Sequence, residues 1–186
     1  MIDEKAIIED GVIIKNNVTI KGNTIIKSGT VIEDNCYIEN SVIESNNKIG
    51  SSNHIGPYAH IRENNVIGNN NIIGSFVEVS NSNIGSNNKI KHLAYVGNVK
   101  MGDYVNIGAN VVFANYHPKK KEKNTTVVNS NSCISSNCTI IAPVNIGFNT
   151  LVGAGSVVDK DLDDNSLYIF RDKEVYKKGY YEEKWY

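Results

Sequence analysis

The sequence predicts an all-β chain wound as a parallel β-helix. Three observations predict it: an isoleucine beat of six residues, a small or β-branched residue two positions before most beats, and polar corners rich in Asn and Gly. The beat runs Ile8, Ile14, Ile20, Ile26, Ile32, Ile38, drops one residue, and resumes from Ile43 through Ile49, Ile55, Ile61, Ile67 and Ile73 to Val79. A second drop leads to Ile84, Ile90 and Val96, then Met101, Ile107 and Phe113. After an interruption it returns from Val128 through Ile134, Ile140, Ile146 and Val152 to Val158. Six residues cover about 1.67 turns of an α-helix, which would scatter these side chains around the cylinder. In an extended segment residues i and i−2 share a face. Val18 therefore points inward with Ile20, Thr24 with Ile26, Thr30 with Ile32 and Cys36 with Ile38.

Each hexad thus reads as a short strand with two inward side chains and a polar corner. Asn serves at corners because it tolerates left-handed backbone. A strand this short cannot bury its face alone, so copies must stack. Three hexads per coil is the natural closure, and about 25 beats make roughly eight coils. A β-sandwich would not keep a strict beat over most of the chain. Residues 1–160 form the coil. Residues 114–126, ANYHPKKKEKNTT, fit no hexad and must leave it as a loop, where function concentrates on rigid scaffolds. The beat stops at Val158, and residues 161–186, with five of the ten tyrosines and the one Trp, form a tail that caps the coil or covers a neighbouring subunit.

Composition narrows the function. A net charge of −1 argues against nucleic acid or an acidic membrane as partner. No run approaches the roughly 18 apolar residues of a membrane span, and MIDEKAIIEDG does not read as a signal peptide. Cys36, Cys133 and Cys138 show no CxxC spacing, so neither a disulfide framework nor a zinc knuckle is expected. Cys36 and Cys138 fall at inward small positions. A soluble cytoplasmic protein is the expectation.

The beat is disturbed most over residues 90–123, where His92, Tyr95, Asn106, Asn115 and Tyr116 enter the pattern and Lys119, Lys120, Lys121 and Lys123 follow. Between Gly56 and Arg171, the blocks GPYAHIR, GSFVEV, KHLAYVG, GDYVNIGA, ANYHP and IAPVNIG occur in order. By these the chain resembles the hexapeptide-repeat acyltransferases, and among them the C-terminal acetyltransferase domain of the bifunctional N-acetylglucosamine-1-phosphate uridyltransferase/glucosamine-1-phosphate acetyltransferase. The resemblance implies a left-handed coil, a homotrimer and acetyl-CoA as co-substrate. The hexads begin at once, so the family's N-terminal uridyltransferase domain is expected to be absent.

By the same resemblance His92 matches the catalytic base, and Glu78 an acidic residue near it. Tyr95, Asn106, Asn115 and Tyr116 match positions lining the amino-sugar and acetyl sites. Arg62 matches the arginine that holds the sugar phosphate, and Lys121 a loop lysine. Ser136 and Ala142 fall beside the coenzyme A arm, and Arg171 matches a tail arginine. Three departures stand out: Ser80 replaces a lysine expected after VEV, His60 replaces an arginine, and NYHP replaces NYDG. The acetyl-transfer core is therefore preserved better than the phosphate grip.

The residue types suit thioester aminolysis. Imidazole can take a proton from the attacking amine near pH 7, Glu78 is a candidate to orient it, and Asn115 or backbone N–H groups can meet the oxyanion. The lysine run suits phosphates, or it is a solvated loop. Tyr95 and Tyr116 could also pack between subunits. Two other functions compete. One is a trimeric β-helix scaffold without activity. The other is a zinc carbonic anhydrase, which needs three convergent histidines from His54, His60, His92 and His117; the contexts of these four do not resemble such a site, and no metal is expected.

Overall fold

The structure, a computed structural model, is described over residues 1–170. Its strands are two to four residues long and stack into three parallel sheets of nine, eight and nine strands, the three faces of a prism. The first face climbs through Ile7–Ile8, Ile25–Ile26, Val42–Ile43, His60–Ile61, Glu78–Ser80, Tyr95–Gly97 and Val112–Ala114. The second carries Val31–Ile32, Lys48–Ile49 and Val66–Ile67 in turn, and the third His54–Ile55, Ile72–Ser75, Lys89–His92 and Asn106–Ile107. The coil is left-handed, as the family resemblance implied.

Register keeps each beat residue above the last: Ile43 pairs with Ile61, Ile61 with Val79 and Val79 with Val96. Ile20 through Ile61 are buried without exception along the beat. Each such side chain contributes about 2–3 kcal/mol of hydrophobic free energy relative to exposure. The smaller inward residues close the remaining space, and Val18, Thr24, Thr30, Cys36 and Cys138 are all buried as expected. Burial pushes the Cys36 and Cys138 thiols up from their ordinary pKa. Buried asparagines take the small inward position in several coils and bond from coil to coil. Asn53 Oδ1 accepts from Asn71 N at 2.8 Å, Asn71 Oδ1 from Asn88 N at 2.8 Å, and Asn88 Oδ1 from Val105 N at 2.7 Å.

The corners are left-handed in almost every coil and are occupied mostly by Asn and Gly. Residues 114–126 leave the first face and return at the second. Within them Tyr116–His117 pairs antiparallel with Glu122–Lys123, so the expected loop contains a short hairpin. The coil also runs past residue 160. Leu162 bridges to Ile146, and Leu167–Tyr168 pairs with Leu151–Val152, adding strands where a tail was expected. Leu162 follows Val158 by four residues instead of six, which hides the continuation from the beat. Among the described residues no helix is long and apolar enough to cross a membrane.

Candidate active site

The first face brings four of the predicted residues together: Arg62, Glu78, Tyr95 and, just past the strand Val112–Ala114, Asn115. His60, Glu78 and Tyr95 occupy one outward position on three successive coils, and Arg62 follows His60 by two residues on the same face. Arg62 Nη1 lies 3.2 Å from Glu78 Oε1, and its Nε lies 3.9 Å from Glu63 Oε2. Glu78 holds the guanidinium pKa above its usual value. The Glu78 carboxylate, a candidate to orient His92, thus accepts from Arg62. The departure at His60 is absorbed by Glu44, whose Oε1 lies 3.4 Å from His60 Nε2 and whose Oε2 lies 2.5 Å from Lys27 Nζ. Ser80, where a lysine was expected, is buried. A side chain of that size at Ser80 leaves Arg62 as the cation of this part of the face.

One coil above, the Tyr95 ring folds back over its own strand. A Cβ built on Gly97 would stand 2.4 Å from the Tyr95 hydroxyl, 2.6 Å from Cζ and 2.7 Å from Asn115 Nδ2. The bare Cα of Gly97 is therefore the floor on which the ring lies. Asn115 is buried, and its Nδ2 donates to Asn98 Oδ1 at 2.8 Å and to the Tyr95 hydroxyl at 3.4 Å. The shorter bond fixes the amide plane, while the longer one is weak enough to exchange for another acceptor. Gly97 and Asn98 were not singled out from the sequence, although both lie within or beside the KHLAYVG block. A glycine replacing Arg62 and Ser80 in the coil repeat was the available signal.

The other predicted residues lie apart. His92 ends the strand Lys89–His92 on the third face, opposite Ser75, at the edge leading to the first face. It is exposed, and among the described residues its ring makes no hydrogen bond or ion pair. Ser136 lies on the same edge farther up, where its carbonyl accepts from Gly155 N at 2.9 Å. Ala142 follows the first-face strand Thr139–Ile141 and donates its N–H to Ala114 O at 3.0 Å. Tyr116 and Lys121 belong to the hairpin, with Lys121 at its turn in left-handed backbone. Asn106 faces outward on the third face between Lys89 and Cys133, its Nδ2 3.6 Å from Cys133 Sγ. Arg171 lies outside the described residues. Among those described, no three His, Cys, Asp or Glu side chains are grouped to hold a metal.

A hexad-stacked left-handed coil with outward polar residues on two faces, an edge and an inserted hairpin defines a class. The chain carries, over residues 81–115, the pattern described as bacterial transferase hexapeptide (six repeats). Among curated proteins it is 36% identical over 128 residues to the bifunctional protein GlmU of Synechococcus sp. (strain CC9605), and 40% identical over 124 residues to that of Streptococcus uberis. These matches take in 69% and 67% of this chain but span only 28% and 27% of the relatives' length. Among solved structures, the coil superposes on LpxA, a UDP-N-acetylglucosamine acyltransferase from Bacteroides fragilis 9343, with a TM-score of 0.74 at 23% identity. That overlap covers 87% of this chain and 68% of the other and shows the shared fold.

Proposed function

We propose that the chain is a soluble cytoplasmic N-acetyltransferase that moves the acetyl group of acetyl-CoA to an amino sugar. The observation that carries this reading is the Tyr95–Asn115 pair seated on Gly97, beside the Arg62–Glu78 pair on the same face. In this reading the His92 imidazole takes a proton from the acceptor's nitrogen, which attacks the thioester carbonyl carbon. The C–N bond forms, Asn115 Nδ2 turns its longer bond from Tyr95 to the oxyanion, and the C–S bond then breaks. The departing thiolate takes the proton back from His92. No covalent intermediate on the protein is needed. Arg62, already paired with Glu78, positions the sugar, and the hairpin's Tyr116 and Lys121 lie over the acceptor or the coenzyme A phosphates. Ser136, Ala142 and Arg171 complete the coenzyme A arm.

The same reading makes the protein a homotrimer. Asn106 is on the third face and Tyr95 on the first, so one ligand meets both only in a cleft between two copies. The edge bearing His92 supports such packing. Tyr58, Phe76 and Leu93 follow one another there on successive coils, 58%, 62% and 58% exposed, all in left-handed backbone. Tyr58 and Phe76 are stacked with centroids 5.6 Å apart.

Thiol release from acetyl-CoA, measured with glucosamine-1-phosphate beside a panel of other amino sugars, tests the function. Turnover that disappears in His92→Ala supports it, and turnover only with an acceptor other than glucosamine-1-phosphate assigns Ser80 to a changed specificity. Absence of both turnover and coenzyme A binding leaves an inactive scaffold and sinks the proposal.

A further inference from the structure

The corner between the second and third faces has one aromatic member. Its left-handed position is Asn in most coils, including Asn70 and Asn87 below and Asn131 and Asn149 above, but Tyr104 stands between them at φ +58°. An aromatic residue is strained in this backbone where Asn is at ease. Burial does not offset that strain, because Tyr104 is 63% exposed. Strained, exposed residues of this kind cluster at binding sites.

Tyr104 lines a recess of about 360 Å³ whose other walls include Asn70, Ile72, Asn87, Lys89 and Asn106. That volume is within the usual range for small-molecule sites. We propose that the recess is a saccharide subsite, holding a second sugar ring linked to the acetylated one. The proposal rests on the reading of Asn106 as an acceptor-site residue. A pyranose presents a face of C–H bonds and a rim of hydroxyls. The electron-rich face of Tyr104 suits the first, and the surrounding amides, each both donor and acceptor, suit the second. Lys89 adds three donors and among the described residues forms no ion pair. Asn106 Nδ2 has only its long contact to sulfur to give up.

The test is saturation-transfer NMR and titration of the full chain, without coenzyme A, using N,N′-diacetylchitobiose and the methyl glycoside of glucosamine as probes. The disaccharide is expected to bind about tenfold or more tighter than the glycoside. Tyr104→Asn, which restores the residue of the neighbouring coils, should weaken the disaccharide by a similar factor while raising Tm by about 2 °C. Tyr104→Phe should keep most of the affinity. A disaccharide bound no better than the glycoside, or bound equally by Tyr104→Asn, overturns the subsite. Because no transfer is measured, the two proposals fail separately. Preferential disaccharide binding that needs Tyr104 but comes without acetylation of any amine would leave a two-ring saccharide site and overturn its link to transfer, and acetylation without preferential disaccharide binding would overturn the subsite alone.

Discussion

Gly97 shows how much a missing side chain can decide. Its backbone is not left-handed, so alanine is conformationally allowed there, and Ser80 already carries a Cβ at the register partner one coil below. The obstacle to a methyl group is the Tyr95 ring and the Asn115 amide. Gly97→Ala is therefore expected to tilt Tyr95 off its floor, lowering kcat/KM for acetyl transfer by about tenfold or more with little change in Tm. In a Tyr95→Ala background the same change should have little further effect on turnover, and a double-mutant cycle reads that coupling directly. Glu44 offers a prediction about stability. The hydrogen bond from Lys27, with His60 beside it, holds its carboxyl below the ordinary value of 4.5. A lowered folded pKa contributes stability that is fully present above the unfolded value and lost as pH falls through the folded one. Lys27, raised above 10.5 by the same pair, contributes below that value and loses it at higher pH. Glu44→Gln should thus lower Tm at neutral pH, and the gap to the parent protein should narrow as pH falls below 4.5, in melts recorded across that range.

At the scale of the strand and the corner, stability comes from repetition. Ile73 is fully buried between Ile55 and Ile90, while Ile7 is 57% exposed at the start of the coil. Ile73→Ala should lower the unfolding free energy by about 3 kcal/mol and Ile7→Ala by well under 1 kcal/mol, measured by denaturant titration. This contrast follows from the six-residue beat, and the beat is why the fold was readable from sequence. A hexad names its inward residues locally, needing no knowledge of what lies above. Features that join distant hexads were not readable this way. The Asn53–Asn71–Asn88 ladder depends on asparagines being stacked, and the hairpin at residues 116–123 depends on a turn that the lysine run conceals. The continuation through Leu162 and Tyr168 broke the spacing rule and so escaped it. The candidate site was readable as residue types in recognisable blocks, but their division among two faces, an edge and a hairpin was not.

For the whole molecule that division matters most. A rigid prism cannot turn its third face toward its first, so the proposed site, with Tyr95 and Arg62 on one face and Asn106 on another, requires a neighbour. In a cyclic trimer each cleft takes His92 and Tyr95 from one chain and Asn106 from the next, and three equivalent clefts close the ring with the second face of each chain turned outward. This arrangement predicts complementation between two inactive proteins. His92→Ala and Asn106→Ala should each lack transfer activity when pure. Unfolded and refolded together in equal amounts, they assemble at random, and a cleft is intact when its His92 comes from the Asn106→Ala chain and its Asn106 from the His92→Ala chain. One half multiplied by one half gives recovery of about a quarter of the parent activity. Mixing the folded trimers without unfolding should restore nothing, which separates subunit exchange from contamination. If co-refolding also restores nothing while the mixed product is trimeric by light scattering, both residues serve a site within one chain or one of them serves none, and the shared cleft is wrong. If the refolded protein is monomeric yet the parent chain turns over acetyl-CoA as a monomer, the third face has no part in the chemistry and Asn106 leaves the site.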